Sequence, residues 1–157
     1  ELWPDKVVAP PPEAGTDMLW DLFELQELSK EELFRQADHV VLVLPYSPAV
    51  HHTVGAAELA LMKPTAILIN TARGPVVEEA ALVRALRNRQ ILGAGLDVTE
   101  KEPIDLENPL FGFDNVILTP HMATRALESD LNTLRFVVAN IDRLARGEAL
   151  QSVVLPV

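Results

Sequence analysis

Ala66-Ile-Leu-Ile-Asn-Thr-Ala-Arg-Gly74 begins as an unbroken apolar run and stops at a polar residue, with a cation three positions later. A short run of this kind, rich in isoleucine, reads as a strand covered on both faces. Three more runs share the form. Val40-Val-Leu-Val-Leu44 ends at Pro45, Gly93-Ala-Gly-Leu96 ends at Asp97, and Val116-Ile-Leu118 ends at Thr119-Pro120. Helical patterns fill the intervals, at Lys30–Ala37, Ala56–Met62 and Glu78–Arg89. Ser29 is placed to cap the first, with Glu32 as its capping-box partner. Leu82, Val83 and Leu86 make an apolar stripe on the third. A last helix is predicted from Leu127 to Arg146. Leu131, Leu134, Val138, Ile141, Leu144 and Ala145 lie on one side, and Gly147 is its stop.

Strands alternating with helices imply an α/β fold with a parallel sheet and right-handed crossovers. Such sheets bind ligands beyond the carboxyl ends of their strands. Pro45, Asn70 to Arg73, Asp97 and His121 all fall at or just after a strand end. That placement links fold to function.

The 157 residues suffice for one domain with a real core. The net charge of −10 argues against a nucleic-acid surface, which needs a basic footprint. It also means that an anionic ligand needs local arginines. No apolar run approaches membrane-spanning length. Glu1-Leu-Trp-Pro-Asp-Lys6 does not read as a secretory signal, and the chain has no cysteine. A cytoplasmic setting is expected.

Arg73, Glu102 and His121 lie in that order within 49 positions. An arginine grips a carboxylate through two parallel charge-assisted hydrogen bonds. A histidine gives and takes protons near neutral pH, and a carboxylate beside it orients the ring. The three suit interconversion of a 2-oxo acid and a 2-hydroxy acid, given a hydride carrier. The bland alternatives are a surface cation, a core histidine and a solvated ion pair. Composition does not separate Glu102 from Glu100, and Lys101 can pair with either. His51-His52 reads as a solvated loop and not as a metal site, because adjacent side chains diverge and no further ligand stands at metal spacing. Glu13, Asp17, Asp21, Glu24 and Glu27 read as a solvated face, and Trp20 and Phe23 as packing residues.

Leu61-Met-Lys-Pro64, Ile69-Asn-Thr-Ala-Arg-Gly74, Gly95-Leu-Asp-Val98, Glu102-Pro103 and Leu118-Thr-Pro-His121 together resemble the NAD-dependent D-2-hydroxyacid dehydrogenases. The resemblance runs from about Ala37 to the C-terminus. It implies a Rossmann-like, doubly wound parallel sheet. It implies that Arg73 binds the substrate carboxylate, His121 donates the proton and Glu102 is its partner. Thr71, Ala72 and Arg73 would line the nicotinamide site, with Asp97 on the carboxamide and Leu44 and Pro45 flanking the adenine. The segment after His121, with Ala123 and Thr124, would close over the cofactor. It also implies a homodimer.

Three departures from the family pattern stand out. No Gly-x-Gly-x-x-Gly turn is present, since Gly93-Ala-Gly95 opens a strand and Val98 stands where the third glycine belongs. Val50 replaces a threonine near the cofactor. Met122-Ala-Thr-Arg125 is bulkier than the small residues usual there. Asp5-Lys-Val-Val-Ala9 looks like the second strand of a dinucleotide fold, with Glu1 to Pro4 as the tail of a preceding helix and Pro10 to Pro12 as a stiff turn. The first strand and glycine turn are then lacking. Residues 1–126 are expected to form a partial dinucleotide-binding domain. Residues 127–157 are expected to form a helix and tail returning toward an absent substrate domain. NAD is expected over NADP, because no Lys or Arg occurs between Val7 and Ser29 to meet a 2′-phosphate. The rival reading is a non-catalytic NAD-sensing or scaffolding protein on the same fold.

Overall fold

The computed structural model describes residues 6–7 and 27–153. The expectations for Glu1 to Pro4, Pro10 to Pro12, the acidic stretch up to Glu24, Trp20 and Phe23 lie outside them. The chain forms two compact units, Glu1–His121 and Met122–Val157.

In the first unit the described elements run β1 (Lys6–Val7), β2 (Leu28–Ser29), α1 (Lys30–Gln36), β3 (His39–Leu42), α2 (Ala56–Leu61), β4 (Ile67–Asn70), α3 (Glu79–Arg87), β5 (Gly93–Leu96) and β6 (Val116–Leu118). Short 3-10 turns occupy Pro48–Val50, Gly74–Val76 and Pro109–Gly112. Strands β3, β4, β5 and β6 form one parallel sheet in that order. Their last residues Leu42, Asn70, Leu96 and Leu118 pair across the sheet as a single row. All four chains therefore leave the sheet at the same level and on the same edge.

The local reasons are legible. The Ser29 side chain accepts from the Glu32 N–H while Glu32 reaches back to the Ser29 N–H, closing the expected capping box at α1. On α3 the buried stripe is Ala81, Leu82, Ala85 and Leu86. Val83, assigned to it from sequence, is half-buried at its margin. Phe34, Leu59 and this stripe pack with Val40, Leu42, Leu68, Ala94 and Leu96 in one core.

Three expectations are corrected. Among the described residues, the outer strands β3 and β6 are not covered on both faces. Val41, Ile69, Gly95 and Ile117 form the row on the face opposite that core, and Val41 and Ile117 are 50% and 72% exposed. The core helices α1 to α3 pack against the Val40 and Leu42 face, so an apolar run overstated the cover. The β3 run also ends early, with Val43 outside the ladder and 75% exposed. Of the segment Asp5 to Ala9, only Lys6–Val7 is described, and it does not join the parallel sheet. It pairs antiparallel with β2, as a short segment with unpaired backbone groups takes an available edge.

The second unit holds α4 (Leu127–Ala145), close to the predicted span, ending at Gly147 with φ of 70°. Leu131, Leu134, Val138, Ile141 and Leu144 are all exposed. The tail folds back on this helix where Asn140 accepts from the Gln151 N–H and donates to the Gln151 carbonyl. Among the described residues no helix is long and apolar enough to cross a membrane.

Candidate active site

The loop after β4 is built around Asn70, which is 1% exposed. Its Oδ1 accepts from the Ala72 N–H at 3.0 Å and its Nδ2 donates to the Arg73 carbonyl at 3.1 Å. One buried amide thus fixes the backbone on both sides of Arg73. Thr71 donates through both N–H and Oγ1 to the Leu42 carbonyl, each at 3.2 Å, tying this loop to β3. The Arg73 side chain is exposed, and its Nη1 donates to the Ala72 carbonyl at 2.6 Å. Among the described residues it has no carboxylate partner.

Gly74 has a sharper requirement. A Cβ there would lie 1.8 Å from the Thr99 carbonyl oxygen and 2.5 Å from the Glu100 nitrogen. The loop after β4 and the loop after β5 touch backbone to backbone at this point. Only glycine permits that approach.

Asp97, at the end of β5, is 6% exposed. Its Oδ1 accepts from the Thr119 hydroxyl at 2.5 Å, and its carbonyl accepts from the His121 N–H at 2.8 Å. Asp97 therefore joins the end of β5 to the chain leaving β6. His121 has a φ of 51°, in the left-handed region that histidine visits more readily than most residues. Its N–H also reaches the Thr119 carbonyl at 3.0 Å, which closes a tight reversal.

From that reversal the His121 Nδ1 meets Glu102 Oε2 at 2.8 Å. The other carboxylate oxygen of Glu102 accepts from the Thr99 N–H at 3.2 Å. Lys101 turns away to Asp105, at 2.8 Å to each oxygen. The peptide between Glu102 and Pro103 is cis. Composition left Glu100 and Glu102 equivalent, and geometry separates them: Glu102 joins His121, while Glu100 joins His52 at 2.6 Å. The pair stays accessible, with side chains 45% and 38% exposed for His121 and Glu102. With Nδ1 donating to the carboxylate, Nε2 is the nitrogen left for a reacting group.

The remaining sequence candidates divide. Leu44 is half-buried and Pro45 exposed, just beyond β3 on the same edge. Val50 is buried and belongs to the core, so it offers a ligand little surface. Ala123 and Thr124 fall in the second unit. The expectation that the His51 and His52 side chains diverge is corrected. Their rings stack, centroids 3.9 Å apart and planes 22° from parallel, because the positive φ of His52 turns its side chain back over its neighbour. No group of three or more metal-ligating side chains occurs among the described residues. Sequence reasoning missed Asn70 and the demand on Gly74. A polar residue closing a buried strand was the available sign of the first; the second depends on a contact with residues 25 positions away.

A parallel sheet of this order, with polar loops gathered at its carboxyl edge, defines an α/β domain of the dinucleotide-binding type. The chain belongs to the D-isomer specific 2-hydroxyacid dehydrogenases, and its residues 13–123 match the NAD binding domain of that family. It is 40% identical over 134 residues to a glyoxylate/hydroxypyruvate reductase B of Enterobacter sp. (strain 638), covering 85% of this chain and 41% of the relative. It therefore spans about two fifths of the length of that curated relative. The fold is similar to that of Rhodotorula graminis D-mandelate dehydrogenase in its holo form, with a TM-score of 0.85 and 36% identity. That match covers 96% of this chain and 43% of the other. It is also similar to a D-isomer specific 2-hydroxyacid dehydrogenase from Xanthobacter autotrophicus Py2 in complex with NADPH and MES. There the TM-score is 0.71 and identity 40%, over 80% of this chain and 51% of the other.

Proposed function

We propose that the intact protein interconverts a small 2-oxo acid and the corresponding 2-hydroxy acid with a nicotinamide cofactor. The observation that carries the reading is the His121–Glu102 pair at the sheet edge that also presents Arg73. The residues present fit the nicotinamide end of such a cofactor. Asp97 is a buried carboxylate able to accept from an amide, and Thr71 and Ala72 are held rigidly on the neighbouring loop. When bound, the cofactor supplies the hydride.

The chain's own residues handle charge and protons. Arg73 grips the substrate carboxylate, exchanging its contact with the Ala72 carbonyl for a charged partner. His121 gives a proton from Nε2 to the carbonyl oxygen as charge gathers there, or takes one in the reverse direction. Glu102 holds Nδ1, which fixes the orientation of the ring and leaves Nε2 facing the reacting group. Arg73 also keeps positive charge beside the oxygen while it is an incipient alkoxide. NAD is the proposed cofactor, since the stretch from Val7 to Ser29 has no cation but holds Glu13, Asp17, Asp21, Glu24 and Glu27. A cytoplasmic setting, suggested by the cysteine-free composition, and a homodimer, suggested by the resemblance, belong to the same proposal; sedimentation of the intact protein checks the oligomeric part. The geometry offers nothing in favour of a purely scaffolding role.

The test is keto-acid-dependent oxidation of the reduced cofactor by the intact protein and its His121→Ala variant. Turnover should fall by roughly two to four orders of magnitude with cofactor binding retained. Wild-type turnover in His121→Ala removes it as the proton donor.

A further inference from the structure

The structure holds a second histidine–carboxylate pair, which the chemistry above does not use. His52 Nε2 lies 2.6 Å from Glu100 Oε1, and both side chains are little more than one third exposed. Each partner is itself anchored. The His52 N–H donates to the Pro75 carbonyl at 2.8 Å, and Val54 bridges Val77 in parallel just beyond, so this loop lies along the segment that follows Arg73. Glu100 is held from the other side by the start of α3. Its Oε1 accepts from the Glu79 N–H at 3.2 Å, and its own N–H donates to Glu79 Oε2 at 3.1 Å. Glu79 Oε1 in turn accepts from Asn108 Nδ2 at 2.7 Å. The stretch from Thr99 to Asn108, which carries Glu102, is thereby fastened at both ends. Glu100 is two residues from Glu102, and Gly74 packs on the peptide between Thr99 and Glu100.

We propose that His52 and Glu100 are positioning residues whose pair locks the loop of Glu102 against the loop of Arg73, and so keeps His121 in the form with its proton on Nδ1. The proposal rests on the dehydrogenase reading for its kinetic consequence, but not for its structural one. Loss of the pair frees the Thr99–Asn108 loop on one side. Glu102 then samples positions where it no longer holds Nδ1, and the proton redistributes toward Nε2. A displacement of about 1 Å in a reacting group is enough to cost up to 100-fold in rate.

The experiment compares His52→Ala and His52→Gln in the intact protein. Glutamine keeps a side-chain N–H donor for Glu100, and alanine does not. Two quantities are read: steady-state kinetics, and the His121 tautomer from long-range 15N–1H NMR correlations of its ring, recorded where the ring is neutral. In His52→Ala, kcat should fall about tenfold with KM for the reduced cofactor within about twofold. The His121 signals should shift toward the Nε2–H form. His52→Gln should restore most of both. An unchanged tautomer in His52→Ala overturns the proposal, as does a drop in thermal stability with kcat intact. An equal loss of kcat in both variants also overturns it. If the wild-type protein oxidises no reduced cofactor with any 2-oxo acid, the dehydrogenase reading fails, and the tautomer alone then decides whether the lock exists.

Discussion

Replacing Gly74 with alanine puts a methyl carbon 1.8 Å from the Thr99 carbonyl oxygen, 2.0 Å from its carbon and 2.5 Å from the Glu100 nitrogen. Ordinary contact therefore requires the two loops to part by roughly 1.5 Å. No flexible side chain can yield, since all three obstacles are backbone. The obstacle is also tied down, by the Thr99 N–H on Glu102 and by the Glu100 N–H on Glu79. On the other side, Asn70 grips the Arg73 carbonyl. Overpacking of this kind costs typically 1–3 kcal/mol, and a backbone obstacle puts it at or above about 3 kcal/mol. For a domain of this size that lowers Tm by roughly 6–12 °C. The distance from Arg73 to the His121–Glu102 pair must change as well, so kcat/KM for the 2-oxo acid should fall about 100-fold. Urea denaturation and steady-state kinetics on the intact protein measure the two effects. A Gly74→Ala variant with wild-type midpoint and wild-type kcat/KM would refute the argument that these loops are set by backbone contact.

Arg73→Lys should raise KM for the 2-oxo acid and lower kcat, together costing about 2–3 kcal/mol of transition-state binding, because an ammonium cannot make the two-pronged grip; equal kcat/KM would contradict the assigned role. Burial raises the Glu58 carboxyl, but Lys30 at 2.7 Å and the Gly55 N–H outweigh it, so its pKa lies below the ordinary value of 4.5. The stability from this link between α1 and α2 is thus present above that value and is lost as pH falls through the lowered folded pKa. Lys30→Met should cost about 1 kcal/mol near neutral pH and much less near pH 3, as urea titrations at the two pH values will show. Catalytic efficiency of the intact protein should be higher with NADH than with NADPH, and the reverse order would show that the absence of cations from Val7 to Ser29 does not set the preference.

Much of the frame was legible because it depends on local pattern. Gly93–Leu96 and Val116–Leu118 fall where their apolar runs do, and the Ser29–Glu32 box lies within four residues. Val43 shows the limit: it continues the apolar run of β3, yet the ladder stops at Leu42, since hydrogen bonding depends on the neighbouring strand and not on the run. The same limit explains Val41 and Ile117, because a run reports what a face can bury and not what covers it. Within the site, motif residues could be named but not paired. Glu100 and Glu102 have the same chemistry two positions apart, and their different histidines follow from where two distant loops meet. Gly74 likewise answers to Thr99, and no property of residues 70–75 reveals that.

The row formed by Leu42, Asn70, Leu96 and Leu118 has a consequence for how this gene can change in length. A residue deleted within β4 would draw the Arg73 loop down by about 3.3 Å and reverse the facing of every side chain between the deletion and the loop. The arginine and the histidine would then no longer rise from one level. The opposite edge has no such constraint. Turns entering the strands, such as those at Asp38, Pro64-Thr65 and Asp114, are exposed and stand upstream of the pairing. Added residues there bulge into solvent while the row stays in place. Insertions should therefore accumulate at the amino edge of the sheet, and a tag or domain placed at Asp114 has the best prospect of leaving the carboxyl edge undisturbed.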